Sequence, residues 1–322
     1  METVDLEIDL TDIYQQFDKL YYPANYSLEP ENSEQRFTYL QQYSPIFDGV
    51  FRVYGYPSLH SNYQIPPTTK TVMWLCKELL QPNYIPKGVK RLYFGPYFNE
   101  PIAANCIPDS VEYIRFKGYN RSLSDIHFPS NVKALVLGTQ FNQFIYGSDE
   151  LPKSLTHLEI HIDTYDPFHW IYINGSLPIN ITHLKIKTAH PFQKRLTLPS
   201  SLKFIDIQAE SHYWISIMDK EEYYKESLNL PEISTNCGLK HMTITCTNAL
   251  NQTIPLPSSL TSLSIKSVKK KWEIEDPIGP EHNFKLSIVP SSLTILKCPH
   301  QRFIPLANTF TYIEYSIEPY IK

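Results

Sequence analysis

Histidine and carboxylate side chains cluster near the middle of the chain, in the segment from His157 through Glu159 to His161 and again at His183. An imidazole beside a carboxylate is the pairing that general acid–base catalysis and zinc sites use. His157 and His161 are four residues apart, which is about 13 Å along a strand, so they cannot share one ion. His157 and His183 meet only if they occupy equivalent places on neighbouring strands, where Glu159 is the one further ligand in reach. Because zinc requires more ligands than these, we expect neither a metal nor another cofactor.

The positions of these residues follow from a sequence repeat. After Pro152, apolar residues stand at positions +3, +6 and +8, counted from the proline, and they are Leu155, Leu158 and Ile160. The same spacing returns after Pro86, Pro108, Pro129, Pro178, Pro199, Pro257 and Pro290. Weaker copies start at Pro45, Pro66, Asn236 and Ala307. These anchors lie about 24 residues apart, within the range of leucine-rich repeats.

The alternation of apolar and polar residues at the end of each repeat predicts a strand. Stacked copies pair edge to edge at about 4.8 Å and bury one continuous core. The return segments have only about 12 to 15 residues, enough for loops, bridges or short 3₁₀ turns but not for full helices. We therefore predict a mainly β, leucine-rich-repeat-like parallel-strand solenoid of about a dozen coils, with positions +5, +7 and +9 facing outward. The clearest strands are predicted at about 91–95, 113–117, 134–138, 157–161, 183–187, 204–208, 241–245 and 262–266.

Two kinds of segment fall outside the regular repeat. Residues 1–44 contain two short amphipathic patterns, and we predict that they form a small helical cap or, alternatively, a partner-docking arm. Residues 45–322 form the predicted solenoid, with insertions near 209–235 and 267–289. Long loops that carry aromatic residues are common binding elements, which makes Trp214 in the first insertion a candidate contact. The alternative is that these aromatic side chains fold back onto the coils.

The return segments carry a motif of their own. One reads Phe98-Asn99-Glu100-Pro101-Ile102, and a second, Phe141-Asn142-Gln143-Phe144-Ile145, lacks only the proline. Together with the L-P-x-S-L strand starts, these motifs resemble the FNIP repeat, a leucine-rich-repeat relative of amoebae and large DNA viruses, across roughly residues 63–315. The resemblance implies an interaction protein without catalytic residues. Some family members also carry an N-terminal F-box that recruits substrates to a ubiquitin ligase, and residues 1–44 show no F-box pattern.

Composition narrows the function classes further. The formal net charge is −4 with 19% charged residues, which argues against nucleic acid and anionic membrane as partners. The N-terminus has no signal-peptide pattern, and no apolar stretch approaches the length of a transmembrane helix. The five cysteines are scattered without a C-x-x-C pair, which predicts reduced thiols. We expect a cytoplasmic protein, in the host cytoplasm if the chain is viral.

The function predicted from these features is a non-catalytic scaffold that binds a protein partner through the sheet face. The G-x-S-x-G, H-E-x-x-H and P-loop motifs are all missing from the sequence. One alternative is a substrate-recognition subunit for ubiquitin ligation, and another is an enzyme with a His and Glu site on the sheet face. The sequence does not identify the partner. The predicted partner-binding residues are Tyr113, Arg115, His157, His183, Lys185, Phe204 and Trp214.

Overall fold

A computed structural model of the chain describes the central part of the predicted solenoid most completely. The described residues are 50–53, 65–146, 149–162, 177–188, 198–209, 237–246, 253–254, 256–268, 285–286, 290–298, 312–315 and 317–318. The chain forms two compact units, Met1–Phe47 and Asp48–Lys322, and all of the described residues belong to the second. The predicted cap at 1–44, Trp214 and most of both insertions lie outside the described residues, so these predictions stay predictions.

The dominant element is one sheet of parallel strands. The strands are β1 (Val50–Val53), β2 (Thr71–Trp74), β3 (Arg91–Phe94), β4 (Tyr113–Phe116), β5 (Ala134–Leu137), β6 (His157–Ile162), β7 (His183–Thr188), β8 (Phe204–Ala209), β9 (His241–Cys246), β10 (Thr253–Ile254), β11 (Ser262–Val268), β12 (Lys285–Leu286), β13 (Ile295–Cys298), β14 (Tyr312–Tyr315) and β15 (Ile317–Glu318). The large sheet runs in the order β1 to β9, then β11, β13 and β14, with β15 paired to β11. All eight clearest predicted strands are present in this sheet, within two residues of their predicted ends, and the mainly β, parallel-strand solenoid is confirmed.

The proline at the start of each repeat forms a tight turn that leads into the strand. In the coil of β6, the carbonyl of Pro152 accepts a hydrogen bond from the N–H of Leu155 at 3.0 Å. The serine between them, Ser154, donates its hydroxyl to the carbonyl of Val132 in the preceding coil at 2.7 Å. The same bond to the +3 carbonyl of the preceding coil is made by Ser110, Ser201, Ser259 and Ser292. The L-P-x-S-L pattern therefore encodes both the turn and a polar link between coils.

The core is built from the +3, +6 and +8 side chains of successive coils. Leu158, Leu184 and Ile205 are each 2% exposed, and they lie beside one another on β6, β7 and β8. His157 and Phe204 are exposed on the other side of the same strands. The predicted register is confirmed, and it matters because a shift of one residue would turn every side chain to the opposite face.

The return segments carry an asparagine staircase that ties neighbouring coils together. The side-chain oxygen of Asn99 accepts a hydrogen bond from the backbone N–H of Asn120 at 2.8 Å. The side-chain oxygen of Asn120 in turn accepts one from the backbone N–H of Asn142 at 2.8 Å. The aromatic residues that precede these asparagines, Phe98 and Phe141, are buried. The F-N pair of the motif thus places a ring in the core and an amide acceptor against the next coil.

Short pairings and one 3₁₀ turn complete the described return segments. Ile102 forms a parallel bridge with Ile126, and Leu123–Asp125 is a 3₁₀ helix of three residues. The two-residue strands β10 and β12 pair as a second small parallel sheet. The prediction of loops, bridges and 3₁₀ turns is confirmed for these segments, while the number of coils stays a prediction because the later return segments are largely outside the described residues. No helix in the described part of the chain is long and apolar enough to span a membrane.

Replacing Leu184 with alanine should lower the free energy of unfolding by about 2–5 kcal/mol, because the side chain is buried and its removal leaves a cavity. The matched control is Ile179→Ala in the same coil, where the side chain is 81% exposed. The control should lose less than about 0.5 kcal/mol. Chemical denaturation measures both, and a loss below roughly 1 kcal/mol for Leu184→Ala would mean that the strand register is misassigned.

Replacing Asn120 with alanine should lower the free energy of unfolding by about 1–3 kcal/mol, because the N–H of Asn142 loses its acceptor. Asn120 also accepts a bond from the side-chain amide of Gln143 at 3.0 Å, so both donors lose a partner together. Asn120→Asp keeps an oxygen at this place and should lose clearly less. Equal destabilisation by the two changes would contradict a role for the amide oxygen as acceptor.

Candidate functional site

The outward face of the sheet is organised in rows, because the parallel register places equivalent positions of successive coils side by side. The +5 row is formed by Thr71, Arg91, Tyr113, Ala134, His157, His183, Phe204, His241, Ser262 and Ile295. The +7 row is formed by Met73, Tyr93, Arg115, Val136, Glu159, Lys185, Asp206, Thr243, Ser264 and Lys297. Every predicted site residue except Trp214 belongs to one of these two rows.

Four rings of the +5 row form a continuous stack, which we call the ring ladder: His157, His183, Phe204 and His241. Successive ring centroids are 4.1, 4.3 and 4.5 Å apart, and successive planes are within 10° of parallel. The strand spacing of about 4.8 Å brings the rings to stacking distance. His157 and Phe204 are exposed, while His183 and His241 are half-buried. The sheet therefore presents a rigid row of ring edges to solvent, with the ring faces turned toward one another.

Two threonine hydroxyls lie within hydrogen-bond distance of Nδ1 of the first two histidines. Thr156 donates its hydroxyl to the carbonyl of Lys133 at 3.1 Å, so its oxygen can accept the N–H of His157 Nδ1 at 2.8 Å. Thr182 likewise donates to the carbonyl of Thr156 at 3.2 Å and stands 2.8 Å from His183 Nδ1. A neutral imidazole with its proton on Nδ1 carries an unprotonated Nε2. With the proton on Nδ1, each of these two rings has its hydrogen-bond acceptor on the edge away from the threonine.

The ladder favours neutral imidazoles. Burial lowers the pKa of His157, and burial followed by the charge of Lys240 lowers the pKa of His241. For His183, burial and then the neighbours His157, Lys203 and His241 lower the pKa to about 4. A proton on one ring would be poorly solvated and would repel protons on the neighbouring rings. The acceptor character of the ladder is therefore stable near neutral pH.

The +7 row contains an ion network beside the ladder. Glu159 lies in this row on the outward side of the sheet, as its position predicts, but its residue is only 4% exposed. Its carboxylate contacts Lys185 Nζ at 3.0 Å and His161 Nε2 at 2.5 Å. Burial alone would raise the pKa of Glu159, but the bonds and charges of His161 and Lys185 outweigh it and lower the pKa to about 2. On the next strand but one, Asp206 accepts a bond from the Gln208 amide at 3.0 Å, and burial raises its pKa.

These contacts bear on the alternative of a His and Glu catalytic site. His157 and His183 are neighbours as predicted, but their rings stack and their Nδ1 atoms face threonine hydroxyls. Glu159 is held by Lys185 and His161 in the adjoining row. These bonds pair the Glu159 carboxylate with the imidazole of His161 and stack His157 on His183. Among the described residues, no group of three or more His, Cys, Asp or Glu side chains is placed to hold a metal ion.

The remaining predicted residues lie on the same face, two strands from the ladder. Tyr113 is half-buried and packs against Tyr93, with ring centroids 5.3 Å apart. Arg115 is half-buried in the +7 row. Strand β5 separates both from His157 and contributes only the small side chain of Ala134 and the buried Val136. The predicted binding residues therefore fall into two separate groups on the face. Tyr113 and Arg115 form one group on β4, and the ring ladder, which is the more continuous of the two, lies on β6 to β9.

His241 is the ladder member that the predicted site omitted. It occupies position +5 on β9, directly beside Phe204 on β8. The repeat places His241 at +5 from the Asn236 anchor, as His157 is from Pro152, and a strand was predicted at 241–245. The predicted binding site nevertheless did not include it.

Comparison with known proteins gives a match to one family over part of the chain. The FNIP repeat family matches residues 78–118 and 119–163, which contain strands β3 to β6. Among solved structures, the chain is similar to CroV588, described as a novel circular LRR protein, with 24% identity and a TM-score of 0.49 over 80% of this chain and 38% of that chain. It is also similar to YopM from Yersinia enterocolitica WA-314, with 14% identity and a TM-score of 0.26 over 89% of this chain and 81% of that chain. A search of curated proteins finds no match.

Acidification should destabilise the protein through the ladder. The folded pKa of His183 is about 4 against an ordinary value of 6.5, so between these values the unfolded chain binds more protons and stability falls as the pH falls. His183→Phe keeps a stacking ring that does not titrate. We expect the melting temperature to drop more in the wild type than in this variant when the pH is lowered from 7 to 5. Equal drops, or an imidazole of His183 that titrates near 6.5 by NMR, would contradict the ladder electrostatics.

Proposed function

Since this chain carries FNIP repeats within a leucine-rich-repeat-like solenoid, we propose that it is a non-catalytic scaffold that binds a protein partner through the outward face of its sheet. Stacked repeats of this kind create extended surfaces that suit a folded protein or a long segment. The proposal places the centre of binding on the ring ladder. Tyr113, Arg115 and Lys185 flank it on the same face, and Trp214 is proposed as an additional contact from the first insertion.

The observation that carries the proposal is the rigid, partly exposed ring ladder. Interface hot spots are enriched in aromatic groups that are ordered before binding, because little conformational entropy is then lost. Phe204 is 37% exposed although it lies in the middle of a stacked row, and its edge is available to a partner. His157 is exposed at one end of the same row. A face that is wide and made of rows suits a protein surface better than a small molecule, which prefers an enclosed pocket.

The described thiols support a protein that works in a reducing compartment such as the cytoplasm. Cys76, Cys106 and Cys237 are free and buried. Burial raises the pKa of Cys76 to about 12. A thiol with so high a pKa is almost entirely protonated at neutral pH and is a poor nucleophile. Cys76 therefore acts as a small core residue, which agrees with a binding role and not with thiol chemistry.

The proposal is tested by affinity capture with the full chain as bait, followed by binding measurements with the partner that is identified. Phe204→Ala and His157→Ala change exposed members of the ladder. Tyr97→Ala and Phe144→Ala are matched controls, because these side chains are 65% and 45% exposed in return segments. We expect each ladder change to weaken binding by about 1–3 kcal/mol and each control to change it by less than about 0.5 kcal/mol.

The melting temperatures of the variants show whether a loss of binding comes from a lost contact with the partner or from a destabilised fold. Since both ladder residues are exposed, their variants should keep melting temperatures close to that of the wild type. If binding survives the combined Phe204→Ala and His157→Ala variant but is lost with Tyr97→Ala and Phe144→Ala, the partner docks on the return segments. That result would remove the sheet face as the binding site.

A further inference from the structure

Three short polar side chains lie next to one another in the +7 row: Asp206 on β8, Thr243 on β9 and Ser264 on β11. We call these three residues the polar site. Asp206 Oδ1 and Ser264 Oγ are shielded from solvent, and neither has a hydrogen-bond partner in the described part of the chain. Ser264 is 9% exposed, while Asp206 and Thr243 are half-buried. The polar site therefore contains two oxygens that are removed from water but are not bonded to the protein.

These two unpaired oxygens need a physical explanation. Nearly all buried polar groups in folded proteins are hydrogen-bonded, because a group that is desolvated and unpaired lowers stability. The fold also accepts an apolar side chain in the same row, since Val136 on β5 is buried at position +7. Packing alone therefore does not require a carboxylate and a hydroxyl here. A ligand that supplies the missing hydrogen bonds accounts for both oxygens.

The charges around the polar site favour a neutral ligand group. Burial raises the pKa of Asp206, and the bond from Gln208 and the charges of Lys185 and Lys266 partly offset this effect. A ligand ammonium would be repelled by the same two lysines, and a ligand carboxylate or phosphate would be repelled by Asp206. A neutral group with hydrogen-bonding capacity avoids both repulsions.

A carboxamide has the hydrogen-bonding groups that the polar site lacks. An ionised carboxylate oxygen can only accept a hydrogen bond, whereas a serine hydroxyl can donate one. The NH₂ and C=O groups of one carboxamide therefore satisfy Asp206 Oδ1 and Ser264 Oγ together. The protein itself already contains such a pair, because the Gln208 amide donates to the other oxygen of Asp206, Oδ2, at 3.0 Å.

The strand spacing distinguishes a carboxamide from a single water molecule. Asp206 and Ser264 are two strands apart, which is about 10 Å between their Cα atoms. A water bonded to two groups spans about 5–6 Å, and a carboxamide spans about 8 Å because its N and O atoms are themselves separated. The carboxamide thus bridges the two oxygens above Thr243, whereas one water does so only if both side chains lean far toward each other.

We propose that the polar site binds the side-chain carboxamide of an asparagine or glutamine in the partner polypeptide. The NH₂ group donates to Asp206 Oδ1, and the carbonyl accepts from Ser264 Oγ. Phe204 lies two residues before Asp206 on the same face of β8, so its exposed edge can pack against the aliphatic part of that side chain. This inference rests on the proposed function and adds a contact that determines specificity.

The first test is the stability of the free protein, with Ser264→Ala in the full chain. Because the hydroxyl is unpaired, its removal should leave the melting temperature unchanged or raise it. The matched control is Ser259→Ala, which removes a hydroxyl bonded to the carbonyls of Cys237 and Leu239 and should lower the melting temperature. An equal drop in both variants would show that Ser264 is already bonded, for example to an ordered water, and would overturn the inference.

The second test selects twelve-residue peptides from a random phage-displayed library on the immobilised full chain. The library is depleted beforehand on the Asp206→Ala, Ser264→Ala double variant, so that the retained peptides depend on the polar site. We expect these peptides to share an asparagine or glutamine at one position. Retained peptides without such a residue, or no retained peptides, would overturn the inference.

A double-mutant cycle then assigns the contact, with one retained peptide as a fluorescent probe. Ser264→Ala, or alanine in place of the shared residue of the peptide, should each weaken binding about three- to tenfold, and both together should weaken it no further. Ser258→Ala changes an exposed serine in the proline turn of the same coil and should stay within about twofold of the wild type. Independent effects of the two changes would overturn the inference. So would coupling of Ser264→Ala to a backbone amide-to-ester change in place of the side chain.

Phe204→Ala separates failure of this inference from failure of the proposed function. Peptides selected without the depletion step that bind Ser264→Ala normally, but lose binding in Phe204→Ala, would leave the proposed binding face standing and reject the polar site. Peptides that bind both variants normally would reject the binding face itself.

Discussion

The in-register pairing of parallel strands is the constraint on which the rest of the structure depends. Each coil alone cannot bury its apolar residues, and only the next coil supplies the missing contacts. The register places +6 on +6 and +8 on +8, so that Leu158, Leu184 and Ile205 form one continuous core. Serine hydroxyls at +2 and the asparagine staircase hold the same register from either side of the strand. Every row on the outward face is a consequence of this repetition.

Arrangement in rows changes the order and the protonation of side chains on the outward face. A single exposed histidine is mobile and titrates near its usual pKa, but three histidines and a phenylalanine stacked at 4.1 to 4.5 Å are ordered and resist protonation. In the adjoining row, the contacts of the buried Glu159 with His161 and Lys185 lower its pKa and keep the carboxylate ionised. The face is therefore rigid and largely preorganised, which reduces the entropy lost on binding.

Much of this arrangement could be predicted from the sequence, because the repeat reports the register directly. The spacing after Pro152 and Pro178 was enough to place His157 beside His183 and to put Leu184 in the core. The burial of Glu159 was not predictable in the same way, since it depends on how far the side chains of neighbouring rows extend over it. The threonine contacts to Nδ1 of His157 and His183 were also not predicted, because they come from position +4, which the alternation rule assigns to the other side of the strand.

Two short strands in and near the insertions could not be predicted from the sequence. Strands β10 and β12 have two residues each, too few for a recognisable alternation, and β12 lies inside the second predicted insertion. The local sequence of these two strands contains no signal, and their pairing is decided by the coils on either side. His241 did lie on a predicted strand, but the sequence alone did not show that its ring continues the stack beside Phe204.

Site-specific photo-cross-linking tests directly whether the partner docks on the ring ladder. A p-benzoylphenylalanine at position 204 stands in the middle of the ladder, and one at position 97 stands on an exposed return segment. We predict that the partner cross-links from position 204 and not from position 97, with cross-linking at 204 competed by unlabelled wild-type protein. Cross-linking from position 97 together with none from position 204 would contradict the claim.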